Sequence, residues 1–271
     1  MLLEKTEAEE LIETILRVYG YDFSGYARAS LYRRIHRFLQ NKKVKDLAEL
    51  QKNILDNTDY FEVFLQEMTV NVTEMFRDPT FFWSLRKKVL PILSTYPYIR
   101  IWDAGCSTGE ELYSLAILLK EEELLHKTRI YATDVNQKVL AQAKDGIYAI
   151  STMKEYTQGY HQSGGKQDFS EYYTARYGYA KFNQSLIENV IFYPHNLATD
   201  SSFNEFHLIL CRNVLIYFNK GLQDRVLQLF TNSLVNLGYL GLGKKESLAL
   251  TAVENQFSVV DKAEKIFRKA T

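Results

Sequence analysis

The residues best able to do chemistry in this chain cluster in one stretch, IRIWDAGCSTGEELYS, from Ile99 to Ser114. Ile99, Ile101 and Trp102 supply an apolar strand, and Gly105 and Gly109 bracket a turn in which the backbone can come close to a ligand. Glu110 and Glu111 follow in the first turn of a helix, where carboxylates suit the positive end of the helix dipole. A phosphate-cradling loop needs a lysine or an open helix N-terminus, so this loop repels anions and welcomes a cation or ribose hydroxyls. S-adenosylmethionine carries both. A strand, glycine loop and helix also occur in many αβ proteins with no ligand, so the other positions decide.

Those positions fall where an open αβ sheet binds ligands, at the carboxyl ends of strands. Asp134 ends the strand IYATD, where it could accept hydrogen bonds from ribose hydroxyls or cap the next helix. Asn196 follows VIFYPHN and is either a reader of an adenine edge or an ordinary turn residue. In LILCRNVLIYF, Arg212 and Asn213 come directly after an apolar strand, with Tyr217 four residues on. Upstream, NVTEMFRD contains Asn71, Thr73, Arg77 and Asp78, and reads as a helix start capped by Thr73. Arg77 is then a surface charge or a guanidinium turned into the cleft.

These residues must be positioned by their elements. Leu11, Ile12, Ile15 and Leu16 recur at helical spacing until Gly20 closes a first helix. Ser24 is the expected cap of a second, Tyr26 to Gln40, which turns Leu31, Tyr32, Ile35, Phe38 and Leu39 inward and Arg28, Arg33, Arg34 and Arg37 outward. Two short helices, Leu47 to Leu55 and Tyr60 to Met68, complete a small bundle. Beyond Pro79 and a helix through Leu90, strands and helices alternate in the rhythm of a parallel, doubly wound sheet. A tyrosine-rich stretch from Gly146 to Ile187 breaks that rhythm. It reads as an insertion with an antiparallel hairpin around Tyr172 to Phe182.

The 271 residues, 46% hydrophobic, suffice for one large domain and a small one. A net charge of +0 gives no global pull toward nucleic acid. The chain has no apolar run of membrane-spanning length and its first residues lack a signal-peptide pattern, so cytoplasm is the expected compartment. Two cysteines, Cys106 and Cys211, have no metal-ligand spacing, and no metal is expected.

NVTEMFRD, DAGCSTGEELYS, ATD, NL and LCRNVLIYF, in this order and spacing, resemble the CheR-type chemotaxis receptor glutamate methyltransferases. GYLGLGKKESL matches that family's late glycine strand loosely, with Lys244 and Lys245 where a His or Ser is usual. Leu112 stands where the family usually has proline. The resemblance covers almost the whole chain. It implies an α/β fold: a Rossmann-like methyltransferase sheet at 73–271, a helical N-terminal domain at 1–72 for receptor recognition, and an inserted β-subdomain at 147–187. It further implies that Asn71, Thr73, Arg77, Gly105, Glu111, Asp134, Asn196, Leu197, Arg212 and Asn213 line the S-adenosylmethionine site. By the same resemblance, Arg77 and Tyr217 flank the transferred methyl group.

The implied activity is methyl transfer to glutamates of a chemoreceptor's cytoplasmic helical bundle, with S-adenosylhomocysteine as product. Such bundles are acidic, and Arg33, Arg34 and Arg37 would offer them a complementary face. The insertion, in some members of that family, docks a peptide from the receptor's C-terminus by strand addition. The chain is expected to act as a monomer. The competing readings are a non-catalytic module that binds cofactor or receptor, and a methyltransferase for another acceptor. A nucleic-acid acceptor would call for a broad basic surface.

Overall fold

The computed structural model describes residues 5–69 and 73–270. By contacts these fall into two compact units: the N-terminal helices together with Tyr217–Val226, and the rest of the chain.

In the first unit, α1 (Lys5–Tyr19) buries Ala8, Leu11, Ile12 and Ile15 along one stripe, as the periodicity predicts. The Gly20 N–H then closes it on the Leu16 carbonyl. α2 (Arg28–Lys42) starts from Ala27 with no side-chain cap. Ser24 is therefore not the cap; its N–H is engaged with the Asp22 carboxylate in the preceding turn. α3 (Leu47–Asp56) is closed reciprocally: Asp46 accepts from the Glu49 N–H and Glu49 from the Lys45 N–H. α4 (Thr58–Met68) begins at Asn57, whose side chain accepts from the Tyr60 N–H. Phe38, Phe61, Phe64 and Leu65 fill the space between these helices, and Tyr19 stacks on Phe61. Tyr217–Val226 joins them through an antiparallel bridge between Tyr26 and Phe218.

The second unit opens with a turn in place of the expected capped helix. Phe76 and Asp78 have left-handed backbones on either side of Arg77, and α5 (Pro79–Ser84) starts only at Pro79, whose missing N–H is harmless there. Thr73 caps nothing. The helix widens at Leu85–Val89, where the Leu90 N–H reaches back five residues to Leu85, and ends as α6 (Leu90–Leu93). Then come β1 (Ile99–Ala104), α7 (Glu110–Glu121), β2 (Thr128–Asp134) and α8 (Gln137–Asp145). The insertion holds β3 (Ile147–Ala149), α9 (Met153–Gln162), β4 (Tyr173–Arg176) and β5 (Tyr179–Phe182). After it run β6 (Val190–Pro194), β7 (Phe206–Cys211), α10 (Lys220–Ser233), β8 (Leu234–Leu242), β9 (Phe257–Asp261) and β10 (Ile266–Lys269).

The seven-stranded sheet has the order β6-β2-β1-β7-β8-β10-β9, parallel from β6 to β8 and antiparallel beyond. β1 pairs with β2 on one side and β7 on the other; the chain leaves β1 toward β2 and leaves β7 toward β8, in opposite directions. That is the switch point where open sheets form a ligand crevice. Trp102 anchors the strand: it is fully buried among His195, Phe203, Phe206 and Phe230, and its indole N–H bonds the Thr133 hydroxyl. Among the described residues no helix is long and apolar enough to cross a membrane.

The insertion forms its own sheet, β3-β5-β4, with the expected hairpin between β4 and β5. Helix α9 is an element the sequence pattern does not announce. Its buried residues Met153, Tyr156 and Tyr160 keep helical spacing, but Lys154, Glu155, Thr157 and Gln158 between them mask the stripe. One carboxylate fastens this subdomain to α7. Glu121 accepts from Arg86 at 2.6 Å, from the Lys166 N–H at 2.9 Å and from the hydroxyls of Tyr172 and Tyr160.

Candidate functional site

The glycine loop after β1 is held from two sides. The N–H groups of Gly105 and Cys106 both donate to the Thr133 carbonyl, and the Ser107 N–H donates to Asp134 at 3.1 Å. Gly105 has φ +83°, and a Cβ there would lie 2.6 Å from a Val214 methyl, so only glycine fits. Asp134 takes the Asn136 N–H on its other oxygen, while Asn136 itself caps α8 through the Lys138 N–H. The cap role open at Asp134 thus belongs to Asn136. Asp134 braces the loop.

Carboxylates gather behind that loop. Asp103 is fully buried, and its Oδ2 has no hydrogen-bond partner. Burial, then the nearby Glu111 and Asp134, push its carboxyl well above the usual range, with Arg212 opposing them. Glu111 is ion-paired with Arg212 at 2.6 Å. Glu110 points elsewhere: it is buried against the Thr108 hydroxyl at 2.6 Å, and burial raises its carboxyl to about 7.

Arg212 organises the next wall. Its guanidinium bonds Glu111, the Asp78 carboxylate at 2.9 Å and the Arg77 carbonyl at 2.9 Å, and lies 4.1 Å from the centre of the Phe81 ring. Its described bonds are thus to the protein itself, and it fixes the turn that carries Arg77. Asn213 is left-handed at φ +63°, with its N–H on Glu246 and its Oδ1 buried without a partner. Glu246 also accepts from the N–H groups of Gly243 and Ile216, so one buried carboxylate shapes the whole loop after β7. Lys244 lies 3.4 Å from Asp78 and 3.8 Å from Glu264.

The remaining expected positions divide. Thr73 and Arg77 are half-buried on the turn before α5, and Leu197 is buried. Asn196 accepts from the Ala198 N–H at 3.0 Å, the behaviour of a turn residue. Asn71 lies outside the described residues. Tyr217 is half-buried and groups with the helices. Arg33 and Arg37 are on the outer side of α2, but Arg34 does not share their face. It is 6% exposed, and it bonds the Met68 carbonyl and the Ser30 hydroxyl.

Sequence reasoning missed Asp103 and Glu246 as parts of this site. An acid next to Trp102 inside an otherwise apolar strand was the available signal for the first, since a buried carboxylate needs a reason. Glu246 gave none: its three backbone partners come together only when β7 and β8 pair. Asp103 Oδ2, Ser107 Oγ, Asn136 Nδ2 and Asn213 Oδ1 are all buried without partners around the ends of β1, β2 and β7. A glycine loop beside carboxyl groups, with orphaned acceptors and donors around it, fits a ligand bearing positive charge and hydroxyls, as S-adenosylmethionine does.

A family model described as "CheR methyltransferase, SAM binding domain" matches residues 71–266, and one described as "CheR methyltransferase, all-alpha domain" matches residues 6–69. The chain is 50% identical over 264 residues to a Pseudomonas putida protein named as a methyltransferase, Cher3, with 97% of each chain covered. It is 31% identical over 236 residues to a chemotaxis protein methyltransferase of Listeria monocytogenes, covering 86% of this chain and 87% of that one. Over 227 residues it is 33% identical to chemotaxis protein methyltransferase 1 of Vibrio cholerae, covering 80% of both.

Proposed function

The chain belongs to the CheR methyltransferase family, and on that premise we propose that it methylates glutamate side chains of chemoreceptor signalling domains in chemotaxis. The products are glutamate 5-O-methyl esters and S-adenosylhomocysteine. The observation that carries this reading is the cluster of buried, unpartnered polar atoms at the switch point of a sheet that the family model spans.

Glu111 and Asp134 would face the bound cofactor as acceptors, Asp103, its carboxyl held toward the protonated form by burial, would offer a hydrogen bond, Gly105 would admit the cofactor close to the backbone, and Asn213 Oδ1 offers a further acceptor. When bound, S-adenosylmethionine supplies an electrophilic methyl group on a sulfonium. A glutamate acceptor is ionised near neutral pH, so the chain need provide no general base. Positioning is then its main contribution. Arg77 is assigned to orient the acceptor carboxylate through paired hydrogen bonds, and Tyr217 to donate one to the acceptor. The turn around Arg77 suits that role, because left-handed residues flank it, the Ser114 hydroxyl accepts the Phe76 N–H, and Arg212 holds the Arg77 carbonyl. Arg33 and Arg37 would meet the acidic receptor bundle.

Calorimetry with S-adenosylhomocysteine and a transfer assay on receptor signalling fragments test the assignment together. Arg77→Ala and Tyr217→Phe are expected to keep much of the cofactor affinity while losing about 100-fold or more in turnover. Near-normal methylation by either variant removes that residue from the mechanism.

A further inference from the structure

Arg34 looks from sequence like one more charge on a basic helix, but its surroundings give it another role. The guanidinium carbon lies 4.5 Å from the centre of the Tyr217 ring. One of its nitrogens bonds the Met68 carbonyl at the end of α4 and another bonds Ser30 at 3.2 Å, so it cannot swing away freely. The ring is held by backbone too. The Ala27 N–H donates to the Tyr217 carbonyl at 2.8 Å, and the Asn219 N–H donates to the Gly25 carbonyl at 2.8 Å. Between them Tyr26 and Phe218 form a bridge, with ring centres 5.2 Å apart. The segment 217–219 is thus laid along the residues leading into α2, with Arg34 over its first ring.

We propose that Arg34 is a positioning residue that fixes and polarises Tyr217, leaving receptor contact to Arg33 and Arg37. This rests on the assignment of Tyr217 to methyl transfer. A guanidinium on a ring face is held more firmly when it is desolvated than an exposed charge pair is. It restrains the ring, and its positive charge beside the phenol makes the hydroxyl a stronger donor. Burial lowers the basicity of Arg34, so its place over the Tyr217 ring is that of a desolvated guanidinium.

Full-length protein labelled with 3-fluorotyrosine, with the Tyr217 resonance identified from its loss in Tyr217→Phe, provides a spectroscopic readout independent of turnover. Arg34→Met is expected to shift that resonance and to lower kcat about 10- to 100-fold. KM for the receptor fragment and affinity for S-adenosylhomocysteine should stay within about twofold, because neither contact is lost. Arg34→Lys, which keeps the charge and a donor for Met68, should recover part of the loss and serves if the Met variant does not fold. Arg33→Ala with Arg37→Ala should instead raise KM, more so at low salt, and spare kcat. An Arg34 variant that raises KM with kcat intact, or that leaves the Tyr217 resonance in place, overturns the proposal. Full activity in Tyr217→Phe would remove the reading beneath it, while the fluorine shift on changing Arg34 would still report the coupling.

Discussion

At the scale of single residues, Asp103 and Asp134 at the site and Glu110 beside it are carboxyl groups that burial makes reluctant to ionise. Glu110 gives the cleanest test. Its carboxyl is raised by burial from 4.5 to about 7, so the folded state favours the proton. The sign follows: its contribution is fully present below about pH 4.5, is lost as pH rises through about 7, and stays lost above. Glu110→Gln should therefore be more stable than the parent at pH 8, by on the order of 3 kcal/mol, and equal to it near pH 4. Urea unfolding at the two pH values checks this; equal stability of both proteins at pH 8 would mean that burial does not raise this carboxyl.

Placement was legible where the local pattern dictated it: Gly105 falls in the left-handed turn after β1, Glu111 in the first turn of α7 and Asp134 at the end of β2. Arg34 ran against its expected outward placement although the chain carried a clue. Leu31, Arg34, Ile35 and Phe38 form a single helical stripe, and three of those four are core residues. A charge inside an apolar stripe signals a buried partner, but the partner, Tyr217, lies far along the sequence.

At the scale of elements, the strands were readable because parallel strands buried on both faces give continuous apolar runs. Boundaries moved where a cap or turn came from elsewhere. Residues 73–78 make a turn with left-handed residues at Phe76 and Asp78, and not a helix, because Arg212 binds both the Arg77 carbonyl and the Asp78 carboxylate. Likewise the insertion's attachment to α7 was invisible in sequence, since Arg86, Glu121, Lys166 and Tyr172 meet only in three dimensions. Arg86 and Glu121 are almost completely buried as a pair. Truncating one member leaves the other charge stranded, so Glu121→Ala should cost about 3–5 kcal/mol in thermal or denaturant unfolding. A loss below about 1 kcal/mol would show that the pair is solvated in solution and that the insertion is held mainly by its tyrosines.

At the scale of the whole molecule, a neutral chain carries its charge in local arrangements: acids behind the cofactor loop, and Arg33 and Arg37 on the outer side of α2. The two family models span residues 6–69 and 71–266, so the architecture follows the family through both units. What separates this reading from a binding module without turnover, or from a methyltransferase for another acceptor, is the bond that is made. A carboxyl methyl ester is cleaved by mild alkali to release methanol, whereas methyl groups on amines survive that treatment. The most direct measurement is incubation of the protein and S-adenosylmethionine labelled in its methyl group with purified receptor signalling domains, followed by alkali. Volatile labelled methanol, with the modified positions mapped to glutamates by mass spectrometry, is the predicted result; alkali-stable label, or cofactor binding with no transfer to the receptor, would contradict it.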